Sequence, residues 1–235
     1  MSARMWVGTS GYSFDEWKGS FYPEKLAAKD RLRFYSDRLE TVEINNTFYR
    51  MPTEKLLEGW MDEVPESFRF AIKSPQRITH MRRLNDCADS VTRLVQVITL
   101  LGPRLGPLLY QLPPNFKKDL PRLEGFLAGV PRPEMVAFEF RNKSWFDDEV
   151  FETLKKHKVA LAVSDTGEEP VAPLVPTAGW GYLRLRREEF DDQTLGEWAK
   201  RIHEQPWSEA FVFVKHEEEG LGPKFAARLR ELYAA

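Results

Sequence analysis

A single cysteine, Cys87, stands among 235 residues, so no internal disulfide can staple the chain and a cystine-built secreted scaffold is excluded. Long hydrophobic runs are missing too. The longest, Val159–Val163 and Ala210–Val214, are five residues each, against the ~20 that a membrane-spanning helix needs. The opening Met1–Gly8 has neither the apolar core nor the cleavage site of a signal peptide, so the cytoplasm is the expected compartment and no membrane partner is expected. Neither sign of charge dominates: 34 Lys+Arg against 36 Asp+Glu give a net charge of −2. A chain-wide nucleic-acid coat is thereby excluded, and only a local basic patch stays open. Histidine is scarce, four in all, with no HxH, HxxxH or Cys/His cluster. That pattern argues against a ready-made metal site and no cofactor is expected, although a divalent ion held by carboxylates stays open. Glycines never fall into GxGxxG or GxxxxGK[ST] spacing, which removes the dinucleotide turn and the P-loop.

What is present is alternation. Short β-branched or aromatic runs recur at Met5–Gly8, Thr41–Asn45, Arg69–Lys73, Leu108–Gln111, Val136–Phe140, Ala160–Ser164, Gly181–Arg184 and Phe211–Val214. Between most of them lie stretches of helical period with recognisable starts: Thr53 before Leu56, Leu57 and Trp60; Asp89 before Leu94, Val95 and Ile98; Asp119 before Leu123 and Phe126; Asp147 before Val150 and Leu154. Leu195, Trp198 and Ile202 make a further stripe, and Phe225, Leu229 and Leu232 the last. Parallel strands need crossover connections, so repeated strand–helix alternation predicts a parallel sheet covered by helices. Eight units in a chain of this length predict an α/β fold, a single (β/α)8 TIM barrel over residues 1–235. One connection is irregular: Thr166–Gly179 carries Pro170, Pro173 and Pro176 without helical period, and a loop is expected there.

Enzymes of this fold build their sites at the C-terminal ends of the strands. Those ends are polar here: Thr9 and Ser10, Glu43 and Asn45, Lys73, Gln111, Glu139 and Arg141, Ser164 and Asp165, Arg184 and Arg186, Lys215 and His216. Residues two apart share a strand face. Val42 and Ile44 then face the helices while Glu43 and Asn45 point inward; Phe138 and Phe140 leave Glu139 and Arg141 inside; Leu183 and Leu185 leave Arg184 and Arg186 inside. Inward charges must be paired, hydrated or awaiting a ligand. Tyr12, Phe14, Trp17, Phe21, Phe48, Tyr49 and Trp145 add an aromatic rim able to stack on a sugar or base, or else to glue long loops to the barrel. His80, His157 and His203 read as structural, and Cys87 as filler at a helix start.

The assembled residues resemble the YecE-like family. The match runs through Gly8-Thr-Ser-Gly-Tyr12 with Trp17 and Phe21-Tyr-Pro23, Val42-Glu-Ile-Asn-Asn-Thr-Phe-Tyr-Arg50 with Pro52, Phe70 and Lys73 with Ile78-Thr-His80 and Leu84, Gln111-Leu-Pro-Pro-Asn-Phe116, Glu139-Phe-Arg141 with Ser144-Trp145, and Tyr182-Leu-Arg184. The resemblance implies a TIM barrel and a site at its mouth, and carries no activity over. Asn142, Arg186 and Lys215-His216 depart from the family pattern, the first two where a histidine often stands.

The expected function is an enzyme, a hydrolase or isomerase, acting on a small anionic, phosphorylated or sugar-like substrate. Glu43 and Glu139 form the expected acid/base pair, one raised by apolar surroundings and the other held ionised by Arg141 or Lys73. Arg141, Arg184 and Lys215 would hold the anion; Tyr12, Asn45 and Gln111 would orient it, with Trp145 and Asp165 at the same mouth. Lys73 is alternatively a Schiff-base amine. Three other readings compete: a self-satisfied ion-pair plug, a nucleic-acid-binding module on the basic aromatic face, and an interaction barrel. Oligomeric state is not legible.

Overall fold

The eight apolar runs become eight parallel strands: β1 (Arg4–Ser10), β2 (Thr41–Ile44), β3 (Arg69–Lys73), β4 (Leu105–Gln111), β5 (Val136–Glu139), β6 (Ala160–Asp165), β7 (Trp180–Leu185) and β8 (Glu209–Val214). They are hydrogen-bonded in chain order, and the ring closes where β1 lies along β8 from Arg4↔Glu209 to Thr9↔Val214. The computed structural model describes residues 3–168 and 172–234.

Two apolar layers follow from strand parity. Inside the ring pack Trp6, Ala71, Leu109, Ala137, Ala162, Tyr182 and Phe213, small residues set against aromatic ones so that a narrow interior is filled. Outside, Val42, Ile44, Phe138, Phe140, Leu183 and Leu185 join the larger layer beneath the helices. The alternation expected on the second, fifth and seventh strands therefore holds.

Seven α-helices are described: α1 (Arg31–Ser36), α2 (Glu54–Glu63), α3 (Ala88–Ile98), α4 (Leu120–Gly129), α5 (Asp148–Lys156), α6 (Asp192–His203) and α7 (Leu221–Ala234). Thr53, Asp119 and Asp147 cap their helices as expected, each accepting from a backbone N–H of the first turn at 3.3, 3.2 and 3.0 Å. Asp89 does not: α3 begins two residues earlier than that cap would set it, with Cys87 at the cap position and Asp89 within the first turn, where the macrodipole favours its charge. The short α1 left no stripe long enough to stand out in the sequence.

Between β6 and β7 no helix is described, in keeping with the prolines; Pro170 lies outside the described residues. Thr177 does local work there instead, its Oγ1 accepting from Leu161 N and donating to Val159 O, both at 2.7 Å. In the β1–α1 loop Trp17 is wholly buried among Phe14, Phe21 and Tyr22, so it fastens the loop rather than forming a rim. No helix among the described residues is long and apolar enough to cross a membrane.

Candidate functional site

Three inward charges from strands far apart in sequence meet at the top of the ring. Arg184 of β7 donates through Nη1 to Glu139 Oε2 of β5 at 2.7 Å and through Nη2 to Glu43 Oε1 of β2 at 2.9 Å. The remaining lone pairs are also used. Tyr182 donates its hydroxyl to Glu43 Oε2 at 2.7 Å, Ser10 donates to Glu43 Oε1, Asn45 Nδ2 reaches the same oxygen at 3.1 Å, and Gln111 Nε2 donates to Glu139 Oε1 at 2.8 Å. All three charged groups are buried. Such a cluster survives out of water only because nearly every polar atom has a partner.

Above this floor opens a cavity of about 710 Å³. Lys73, Arg141, Arg184, Arg186 and Lys215 all line it, against one carboxylate, Glu217. Lys215 lies 3.3 Å from Glu217, and Arg184 is held from below. Lys73, Arg141 and Arg186 make no ion pair among the described residues, and the Nε of Arg186 is buried without a hydrogen-bond partner. Part of the expected plug thus exists, but it ends at Arg184 and leaves a layer of uncompensated cations over it.

The electrostatics differ from the expected acid/base split. Burial pushes Glu43 up, but the Arg184 charge and the bonds from Ser10 and Tyr182 outweigh it and hold the carboxyl at about 2. Glu139 is lowered for the same reasons, burial opposed by Arg184 and Gln111. Neither carboxylate is raised, because one guanidinium serves both. The group moved toward neutrality is Lys73: burial, then the Arg184 charge, bring its ammonium down to about 8. Arg186 is lowered by burial and by Arg184, and His80 by burial and by Lys73.

A family model described as "Protein of unknown function DUF72" matches residues 6–235. The chain belongs to the DUF72 family. Its relatives include UPF0759 protein YunF of Bacillus subtilis (strain 168), 30% identical over 237 residues that cover 92% of this chain and 80% of YunF. UPF0759 protein YecE of Escherichia coli (strain K12) is 33% identical over 116 residues, 49% of this chain and 43% of YecE, so that match spans less than half the relative's length. The crystal structure of a DUF72 family protein from Thermotoga maritima MSB8 is similar along the whole barrel, with a TM-score of 0.82, 26% identity and coverage of 99% of this chain and 100% of that one.

Within this DUF72 barrel, Tyr12, Asn45, Lys73, Gln111, Arg141, Arg184 and Lys215 line the cavity. Glu43 and Glu139 lie beneath it rather than on its wall. Trp145 and Asp165 are corrections. Trp145 is wholly buried, stacked on Phe140 at 4.8 Å and donating Nε1 to Phe116 O at 2.7 Å, which places it in the outer apolar layer. Asp165 shares the outward face of Leu161 and Val163, so it turns toward α6, taking Trp198 Nε1 at 2.9 Å and Arg187 Nε at 2.8 Å. Glu43, Glu139 and Asp165 therefore do not assemble as a cation site, and among the described residues no three His, Cys, Asp or Glu side chains converge on one. His80, expected to be structural, lines the cavity from a single π-helical turn, Arg77–Met81, a wound segment that no spacing rule reveals. Phe48 joins it edge-on at 4.9 Å.

Proposed function

We propose that the mouth of this barrel binds a small molecule bearing a phosphate or carboxylate group, and that the protein acts on it as an enzyme with Lys73 as the proton-transfer group. One observation carries the reading: Lys73, Arg141 and Arg186 line a single cavity without ion-pair partners among the described residues, while Glu43 and Glu139 beneath it are committed to Arg184 and Glu217 stands against Lys215. Lys73 and Arg186 are half-buried without a counter-charge, which is costly, and an incoming anion offsets that cost, with the exposed Arg141 at the rim to meet it. The guanidinium fork of Arg186 or Arg141 matches a phosphate or carboxylate edge, and Lys73 serves as a point charge. An amine held at about 8 exchanges its proton near neutral pH, which the two low carboxylates do not. In this reading Glu43 and Glu139 fix Arg184 and set the field of the floor.

Titration calorimetry with inorganic phosphate tests the binding half. Arg186→Gln is expected to weaken phosphate at least tenfold with the fold intact, and wild-type protein that takes up no phosphate at millimolar concentration sinks the reading. Turnover on a panel of phosphate esters and sugar phosphates, lost in Lys73→Met, tests the enzymatic half; binding with no turnover across the panel would leave a receptor instead.

A further inference from the structure

The cavity has two unlike walls. The cations Arg141, Arg186 and Lys215 come from the ends of β5, β7 and β8, whereas the loops after β1 and β2 contribute Tyr12, Phe14, Phe48 and Tyr49. Because β1–β2 and β5–β7 occupy opposite arcs of the ring, Arg141 and Arg186 face these rings across the cavity, while Lys215 at the end of β8 and Lys73 at the end of β3, 4.4 Å from the Phe48 ring, flank the aromatic side. Tyr49 is 77% exposed, so its ring is open to a flat partner, and Phe48 meets it edge-on at 5.2 Å. Two amides, Asn46 and Gln76, line the same region, and neither side chain has a hydrogen-bond partner among the described residues. An amide offers a donor and an acceptor side by side, the pair that reads the edge of a heterocyclic base.

Resting on the anion reading above and deepening it, we infer that the ligand is a nucleotide: a phosphate seated on the cationic wall, joined to a flat base stacked at Tyr49 and read by Asn46 and Gln76. A cavity of about 710 Å³ falls in the size range of small-molecule sites. A sugar phosphate also satisfies the cations, and its hydroxyls reach the amides, but a flat base covers the open ring more fully and matches the side-by-side donor and acceptor of each amide. The same chemistry is offered by a free nucleoside monophosphate and by the phosphorylated end of a single strand.

Calorimetry on the full chain separates these cases. The probes are inorganic phosphate, ribose 5-phosphate, the four ribonucleoside 5′-monophosphates, adenosine, and a 5′-phosphorylated tetranucleotide. The best monophosphate is expected to bind at least tenfold more tightly than ribose 5-phosphate. Tyr49→Ala, a change at an exposed position, is expected to erase that preference while leaving ribose 5-phosphate within twofold. A tetranucleotide that binds more tightly still, with a steep fall in salt, assigns the nucleotide to a strand end; one that binds no better assigns it to the free pool. If none of the four monophosphates exceeds ribose 5-phosphate, or if Tyr49→Ala leaves the preference intact, the nucleotide inference falls while the anion reading stands. If inorganic phosphate fails to bind at millimolar concentration, the anion reading falls with it.

Discussion

The Nζ of Lys73 sits 4.4 Å from the centroid of the Phe48 ring. A π-face attracts a cation by roughly 0.5–2 kcal/mol, depending on how far the site is dried, and it accepts no proton. The amine is therefore held in place inside the cavity yet stays free to titrate, and the two arms that bring it there, the end of β3 and the turn after β2, set its environment.

Anion affinity should fall as this amine loses its proton. With Lys73 at about 8, sulfate, which does not itself titrate in this range, is expected to bind progressively less well from pH 7 to pH 9. Calorimetry at pH 8 in two buffers of different ionisation enthalpy should register proton uptake on binding, since the anion restores the charged amine. Lys73→Met should abolish both effects; a wild-type affinity that stays level across this range contradicts the assignment.

The same residue should cost the empty fold stability. Its folded value lies below the ordinary 10.5, so between about 8 and 10.5 the unfolded chain holds more protons and stability rises with pH. Lys73→Met is thus expected to stabilise at pH 7 by on the order of 1 kcal/mol, about 2–4 °C in melting temperature for a chain of this size, with the gain fading above pH 10.5. A melting temperature lowered at pH 7 would count against a desolvated charge at this position.

Glu43 should behave in the opposite sense. Its folded value, about 2 against an ordinary 4.5, gives stability that is fully present above 4.5 and lost as the pH falls toward 2. That contribution is worth about 3 kcal/mol. Glu43→Gln is expected to destabilise by a similar amount near pH 7 in urea unfolding, and the gap from wild type should close between pH 4.5 and pH 2. A gap that persists at low pH would place the loss in packing rather than charge.

Trp145 should matter to the fold and not to the ligand. Trp145→Phe removes the bond to Phe116 O and part of a buried ring, a loss of about 1–3 kcal/mol. Sulfate affinity should remain within twofold of wild type, and a larger change would return Trp145 to the site.

The barrel was legible because its cause is periodic. Strand parity alone placed Glu43, Glu139 and Arg184 inside, and the same rule, applied along Leu161, Val163 and Asp165, turns Asp165 outward toward Trp198. Its place at a strand's C-terminal end points to the mouth, but the face on which it stands decides its direction. Trp145 escaped for another reason: beyond Phe140 the strand period ends, and a short 3₁₀ turn folds the indole back onto the outer layer. The sharing of one guanidinium by two acids is a fact of three dimensions, and with it went the expectation that one carboxylate would be raised. His80 depends on a turn wound one residue wider than an α-helix, which leaves no trace in spacing.

The Arg184 clamp draws its two acids from positions 141 and 45 residues upstream. No contiguous half of the chain holds all three members, since Glu43 falls in the first four strands and the other two in the last four. The recognition surface above it therefore comes into being only at ring closure. Half-barrels expressed apart should capture anions more weakly than the recombined ring, since Lys73 and Glu43 lie in one half and Arg141, Arg184 and Arg186 in the other, which makes ligand capture a reporter of assembly for this molecule.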